Sequence, residues 1–260
     1  MDIAIEADQP RTVRAFEHVM GTVVTIEVPL HDPGREQALH LAVARSRAML
    51  HRVDSVFSLW KPESPMSRLR RGELDLDVAP REIAEVLALC ERARELTDGW
   101  YDARAVPGGI DPTGLVKGWG TKRAKDVIVD AGFSDVLVNA GGDVAASGGP
   151  RPGESWRVGI RHPADPFALA GVVEGAAAIA TSGTYERGAH LYNPREGRFT
   201  AGFVSATVVG DDLALADALA TGLCVAGPDG LAFLDAAPDF EGFGIDADGL
   251  IMTSASFAFS

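Results

Sequence analysis

Ser205-Ala206-Thr207-Val208-Val209 and, one turn later, Ala216-Asp217-Ala218-Leu219-Ala220-Thr221 decide how this chain is read. The first run, entered from Phe203, is apolar and β-branched and predicts a strand over 203–209. The second sits inside 213–225, which predicts a helix. Asp217 and Thr221 are four residues apart, so on a helix they share one face. A carboxylate and a hydroxyl stacked in an otherwise apolar segment make an oxygen-rich notch. Hard cations such as Mg2+ take such donors, together with water and phosphate oxygens. The plain alternative is two polar positions on an exposed helix face.

Outward from this pair, strands are predicted at 23–28, 136–138 and 156–160, with one more inside 169–179. Helices are predicted at 34–57, 80–97, 117–131 and 230–236. Leu39, Val43, Leu50 and Val53 stripe the first helix, and Ile83, Val86, Leu87, Cys90 and Leu96 the second. Pro80 suits a first helical turn, and Gly132 a helix end. The Pro- and Gly-bearing stretches 57–72 and 99–114 read as loops, and 180–203 as turn-rich. Asp248-Gly249 turns a closing hairpin over 242–257. Strands and helices mix irregularly, which indicates an α+β fold rather than a regular βαβ array. No internal repeat or linker divides the chain, so 1–260 reads as one domain with room for two lobes.

The net charge of −13 argues against nucleic acid or an anionic membrane surface as the main partner. A nucleotide stays compatible, because amides, a lysine and a metal ion can serve phosphate locally. Cys90 and Cys224 are too few for a disulfide framework or a cysteine zinc site, and each lies in an apolar run as a small core residue. No run reaches the roughly 20 apolar residues of a membrane span. Met1–Arg14 carries Asp2, Glu6 and Asp8 and lacks a secretory pattern, so the chain as written reads as cytoplasmic. A chain trimmed of its leader would read the same and act outside the cytoplasm.

Other segments carry chemistry-bearing residues. Asn139-Ala140-Gly141-Gly142-Asp143 follows a strand; its glycines either let the backbone approach a ligand or serve a tight turn. Asp111-Pro112-Thr113-Gly114-Leu115-Val116-Lys117-Gly118 enters a helix, and is either an anion-binding N-terminus with Lys117 adding charge or a capping motif before a solvated lysine. Thr181-Ser182-Gly183-Thr184-Tyr185-Glu186-Arg187-Gly188-Ala189-His190 is rich in hydroxyls and suits phosphoryl chemistry, with a polar structural loop as the alternative. The other five histidines read as surface or packing residues. Trp60, after Phe57-Ser58-Leu59, could stack on a planar ligand or belong to the core. Met20-Gly21-Thr22 precedes the first predicted strand.

In this order the segments resemble one family, the ApbE-like FAD:protein FMN transferases. The likeness rests on Met20-Gly21-Thr22, Phe57-Ser58 with Ser64, Asp111 with Gly114 and Lys117-Gly118, and Asn139 with Gly141-Gly142-Asp143. It continues through Thr181-Ser182-Gly183 with Tyr185, His190 with Pro194 and Gly197, and Ala216-Asp217-Ala218 with Thr221. The resemblance implies a mixed, largely antiparallel sheet packed with helices. It also implies a Mg2+-dependent enzyme that cleaves FAD and attaches FMN to a Thr or Ser hydroxyl of a target flavoprotein, releasing AMP. By the same resemblance, Asp217 and the Thr221 hydroxyl hold the metal, with the backbone carbonyls of Val116 and Ala220. Asn139, Gly141, Gly142 and Asp143 line the FAD site, and Met20, Gly21 and Thr22 sit near its adenosine half. Ser182 lies near the phosphates, Lys117 or Arg187 offsets their charge, and Trp60 stands where the family often has a tyrosine against the isoalloxazine. His190 matches the base that takes the acceptor proton.

Three departures stand out. The family's lipoprotein leader is missing, Arg70 stands where an asparagine is common, and Gly99-Trp100-Tyr101-Asp102 only approximates the family's Gly-x-Phe-Asp. Two other activities use the same residues: a Mg2+-dependent FAD pyrophosphatase with water as acceptor, and an FAD-binding protein without turnover.

Overall fold

A computed structural model describes residues 11–184 and 191–259. In chain order the elements are β1 (Arg11–Val19), β2 (Thr22–Leu30), α1 (Glu36–Phe57), α2 (Pro65–Arg70), α3 (Arg81–Leu96), α4 (Thr113–Asp130), β3 (Val136–Ala140) and β4 (Asp143–Ser147). There follow β5 (Arg157–His162), β6 (Asp165–Glu174), β7 (Ala178–Gly183), β8 (Tyr192–Asn193), β9 (Arg198–Phe199), β10 (Ser205–Gly210), α5 (Leu213–Ala226), α6 (Leu231–Asp235), β11 (Phe240–Ile245) and β12 (Ile251–Thr253). Eight strands form one sheet in the order β1-β2-β3-β4-β7-β10-β11-β12. Every neighbouring pair in it is antiparallel. This is the α+β fold with a largely antiparallel sheet that the sequence indicates.

The period-two pattern of the strands sorts their side chains onto two faces. Ala206 and Val208 of β10 pack against Leu219, Ala220 and Leu223 of α5. Val209, Ile179 and Phe243 point the other way, toward Ile160 and Val173 of the β5–β6 ribbon and Phe257. On the helical face α4 crosses β3 and β4, and α5 crosses β7 and β10. Val53, Phe57, Ile83, Leu87, Leu115, Trp119 and Ala218 join α1, α3, α4 and α5 in a second apolar layer. No helix among the described residues is long and apolar enough to cross a membrane.

The predicted strands and helices recur, with corrections. The stretch 57–72 is not all loop: Pro65 opens α2, and the Ser64 hydroxyl caps it by accepting the Ser67 N–H at 3.0 Å. Arg11–Val19 is a strand although its charges hide the pattern. The region predicted as 169–179 holds parts of two strands, and β7 carries regular structure into the turn-rich stretch. α4 starts at Thr113, inside the predicted loop, because Asp111 accepts the Thr113 N–H at 3.0 Å.

Antiparallel pairing brings several turns to one end of the sheet. Val24 of β2 faces Ala140 of β3, so the Met20-Gly21 turn and the Gly141-Gly142 turn are neighbours. Gly141 and Gly142 have φ of 61° and 105°, values that favour glycine. A Cβ on Gly141 would also lie 2.4 Å from Thr22 Oγ1. The C-terminal end of β7 and the start of β10 reach the same edge, where Gly183 pairs with Ser205.

Candidate active site

The site begins at the crossing of α4 and α5. Gly114 and Gly118, four apart on α4, face Asp217 and Thr221, four apart on α5. A Cβ on Gly118 would stand 2.3 Å from the Leu213 carbonyl oxygen and 2.9 Å from Asp217 Cβ. A Cβ on Gly114 would stand 3.3 Å from Thr221 Oγ1. The bare backbone therefore lets the helices close, and the Gly118 N–H donates to Asp217 Oδ2 at 2.9 Å. The sequence motif contained both glycines, but not their role as a seam. The spacing of small residues at i and i+4 was the available signal.

Asp217 is 2% exposed, and Asp143, at the start of β4, is fully buried. Lys117 of α4 forms an ion pair with Asp143, and its Nζ lies 3.9 Å from Asp217 Oδ1. The Thr181 N–H of β7 donates to the other Asp143 oxygen at 3.2 Å, a partner with no sequence signal. Burial, then the nearby Asp143 charge, pushes the Asp217 carboxyl from 3.8 up to about 8; Lys117 and the Gly118 N–H pull it down without cancelling. One turn along α5, Thr221 Oγ1 lies 3.1 Å from Ser182 Oγ. Asp143, Lys117, Ser182, Asp217 and Thr221, drawn from two helices and two strands, thus converge on one oxygen-rich cluster whose two carboxyls are buried and whose other members are half-buried.

The other predicted residues surround this cluster or stand apart from it. Met20, Gly21 and Thr22 line an open groove of about 590 Å³ with His18, Val19, Val23 and Asp54. Lys61 pairs with Asp54 at that groove, and the adjacent Trp60 is 95% exposed, so it is not a core residue. Asn139 braces its own turn by accepting the Gly142 N–H at 2.9 Å. Val116 and Ala220 are interior residues of α4 and α5, with buried side chains. Ser64 and Ser67 bond the Ser58 carbonyl at 2.6 and 3.1 Å and hold the loop beside Trp60. Asp111 makes the start of α4 a capping motif. Lys117, the lysine of that motif, is not a solvated one. Arg70 ties down the loop before α4 through the Gly108 and Pro107 carbonyls at 2.7 and 2.8 Å. His190 and Arg187, with Tyr185, lie outside the described residues. Cys90 and Cys224 are buried, their thiols pushed up to about 11 and about 12, which makes them poor nucleophiles.

The ApbE family model matches residues 20–108 and 103–243, which include every residue of this cluster. The chain belongs to the ApbE family. An FAD:protein FMN transferase of Klebsiella pneumoniae is 30% identical over an alignment covering 86% of this chain and 84% of that protein. One of Rhodobacter capsulatus is 36% identical over 56% of this chain, and the match spans only 30% of that protein's length. The flavin transferase ApbE from Vibrio cholerae has the same fold, with a TM-score of 0.81 at 23% identity over 95% of this chain and 98% of that one. Within this ApbE fold, the cluster lies where the α4–α5 seam meets the sheet edge.

Proposed function

We propose that this chain is an FAD:protein FMN transferase. The hydroxyl oxygen of a Thr or Ser on a target flavoprotein attacks the FMN-side phosphorus of bound FAD. The new O–P bond leaves FMN on the target as a phosphoester, the P–O bond to AMP breaks, and the hydroxyl proton passes to a base. The observation that carries this reading is the convergence of the buried Asp217 and Asp143 with the half-buried Thr221 and Ser182 hydroxyls in a chain of the ApbE family.

The donors fit Mg2+. Asp217 is a dry carboxylate beside a second one, Thr221 adds a hydroxyl, and the set is all oxygen, which suits a hard cation. In this reading Asp217 and Thr221 hold the ion, with the carbonyls of Val116 and Ala220 as further oxygens. When bound, Mg2+ stabilises the charge that develops on the pyrophosphate oxygens. The chain's own groups orient the substrate. The Ser182 hydroxyl faces the phosphates, the Met20-Gly21-Thr22 groove takes the adenosine half, and the Asn139–Asp143 turn walls the FAD site. Trp60 stacks on the isoalloxazine, Arg187 adds charge and His190 takes the proton.

The test is to incubate the protein with FAD, with and without Mg2+ and a target flavoprotein domain, and to read the products by mass spectrometry. An FMN-sized gain on the target with AMP released only when metal is present supports the transferase. Metal-dependent FMN and AMP without an adduct would replace it with a pyrophosphatase, and unchanged FAD with a binding protein.

Two further results are expected. Trp60→Ala should weaken FAD binding by about 1–3 kcal/mol, the usual worth of one aromatic stacking contact, and leave the melting temperature unchanged because the ring is exposed. Fluorescence titration and thermal melts check both halves. The second concerns pH. Below about 8 the Asp217 carboxyl holds a proton that a metal ion must displace. Metal affinity should therefore climb with pH, by up to about tenfold per unit, and level off above that value. Calorimetric titration at several pH values checks this, and a flat profile would contradict the site.

A further inference from the structure

We propose that Lys117 is a resident counter-cation for the metal position, bridging Asp143 and Asp217 in the metal-free chain and withdrawing from Asp217 when a divalent cation binds. This rests on the reading that Asp217 holds the metal. The first observation is which oxygens are committed. Asp217 Oδ2 already accepts the Gly118 N–H at 2.9 Å, which makes Oδ1 the more available oxygen for a ligand. That is the oxygen facing the Lys117 ammonium, at 3.9 Å. The lysine and a metal ion therefore address the same atom.

The second observation is charge in a dry place. Asp143 and Asp217 are both buried, and whenever both are ionised two such charges need a cation between them. Lys117 supplies it, with its stronger contact on Asp143, where the pair is within hydrogen-bond reach. A second cation on Asp217 Oδ1 would then face a like charge with little water to screen it. Lys117 can give way. Its side chain is 28% exposed and its four-carbon stem is flexible, so the ammonium can keep Asp143 and leave Asp217. The consequence is a metal site whose Asp217 oxygen faces an ammonium when empty, at a cost in metal affinity.

The experiment is calorimetric titration of the FAD-free protein with Mg2+ or Mn2+ alone, at a pH above 8 so that proton competition is small. An internal competitor acts at a high effective concentration, so Lys117→Met should lower the metal Kd by roughly tenfold or more. Asp143 loses its partner in that variant, which threatens folding. A second pair reads the same competition without an unpaired charge. Asp143→Asn should weaken metal binding, because Lys117 then serves Asp217 alone, and adding Lys117→Met to it should restore tight binding. Equal or weaker affinity on removing the lysine from both backgrounds, with the wild type still binding, would overturn the inference and leave the metal site standing. A wild type and variants that all fail to bind metal would overturn the metal-site reading itself.

Discussion

Asp217→Ala should abolish metal-dependent FMN transfer, lowering kcat/KM by about 10³-fold or more, while the protein stays folded. The rate effect follows from losing the carboxylate proposed to hold the ion, since metal stabilisation of a phosphoryl transition state is worth several kcal/mol at about 1.4 kcal/mol per tenfold. The fold survives because the change removes a buried acid and leaves the Lys117–Asp143 pair intact. Asp217 in fact opposes folding at high pH. The folded chain keeps its proton up to about 8, whereas the unfolded chain loses it near the ordinary value of 3.8. Between those values the native state binds more protons than the unfolded state, so stability falls as pH rises through that window. Asp217→Ala should flatten this part of the stability profile and melt no lower than the wild type at pH 9. Single-turnover mass spectrometry and melts across pH test the two halves separately. Retained Mg2+-dependent transfer would refute the assignment of Asp217.

Gly118→Ala should be the most damaging single methyl group in the chain's helical layer. Its Cβ would sit 2.3 Å from a backbone oxygen of α5, an atom that cannot rotate away, so α5 must shift as a whole. Overpacking of this kind costs about 1–3 kcal/mol and more where backbone is struck. For a chain of this size that is a fall of about 2–12 °C in Tm. The same shift moves Asp217 and Thr221 off the sheet edge, so transfer should fall even at temperatures where the variant is folded. Gly114→Ala is the contrast. Its nearest neighbours, Tyr101 Cε2 at 3.2 Å and Thr221 Oγ1 at 3.3 Å, are side-chain atoms with some room to adjust. Its Tm should drop less. Equal melting of all three proteins would show that the seam is looser than its geometry requires.

Parts of this architecture were legible from local pattern alone. The 203–209 strand and the 213–225 helix have the composition and length of their elements, and both stand within a residue or two of prediction. The misses have local causes too. β1 is an edge strand whose Arg11, Arg14 and Glu17 interrupt the alternation, a common way to protect an exposed edge. α2 is only six residues long, and its Pro65 reads as a breaker although proline is welcome at a first helical position. Gly108, Gly109 and Gly114 made 99–114 look like one loop, yet Gly114 belongs to α4.

By itself the sequence determined that Asp217 and Thr221 share a helix face, that Gly141-Gly142 makes a turn, and which motifs follow one another. These depend on the helical period and on backbone freedom, which are properties of a few adjacent residues. Only the tertiary structure decided that Asp143 lies beside Asp217, that Lys117 bridges them, and that Ser182 meets Thr221. Those contacts join segments far apart in the chain. They arise from strand pairing across the sheet and from two bare glycines that let α4 and α5 touch, and no local pattern encodes which distant partners will be drawn together when water leaves the space between them.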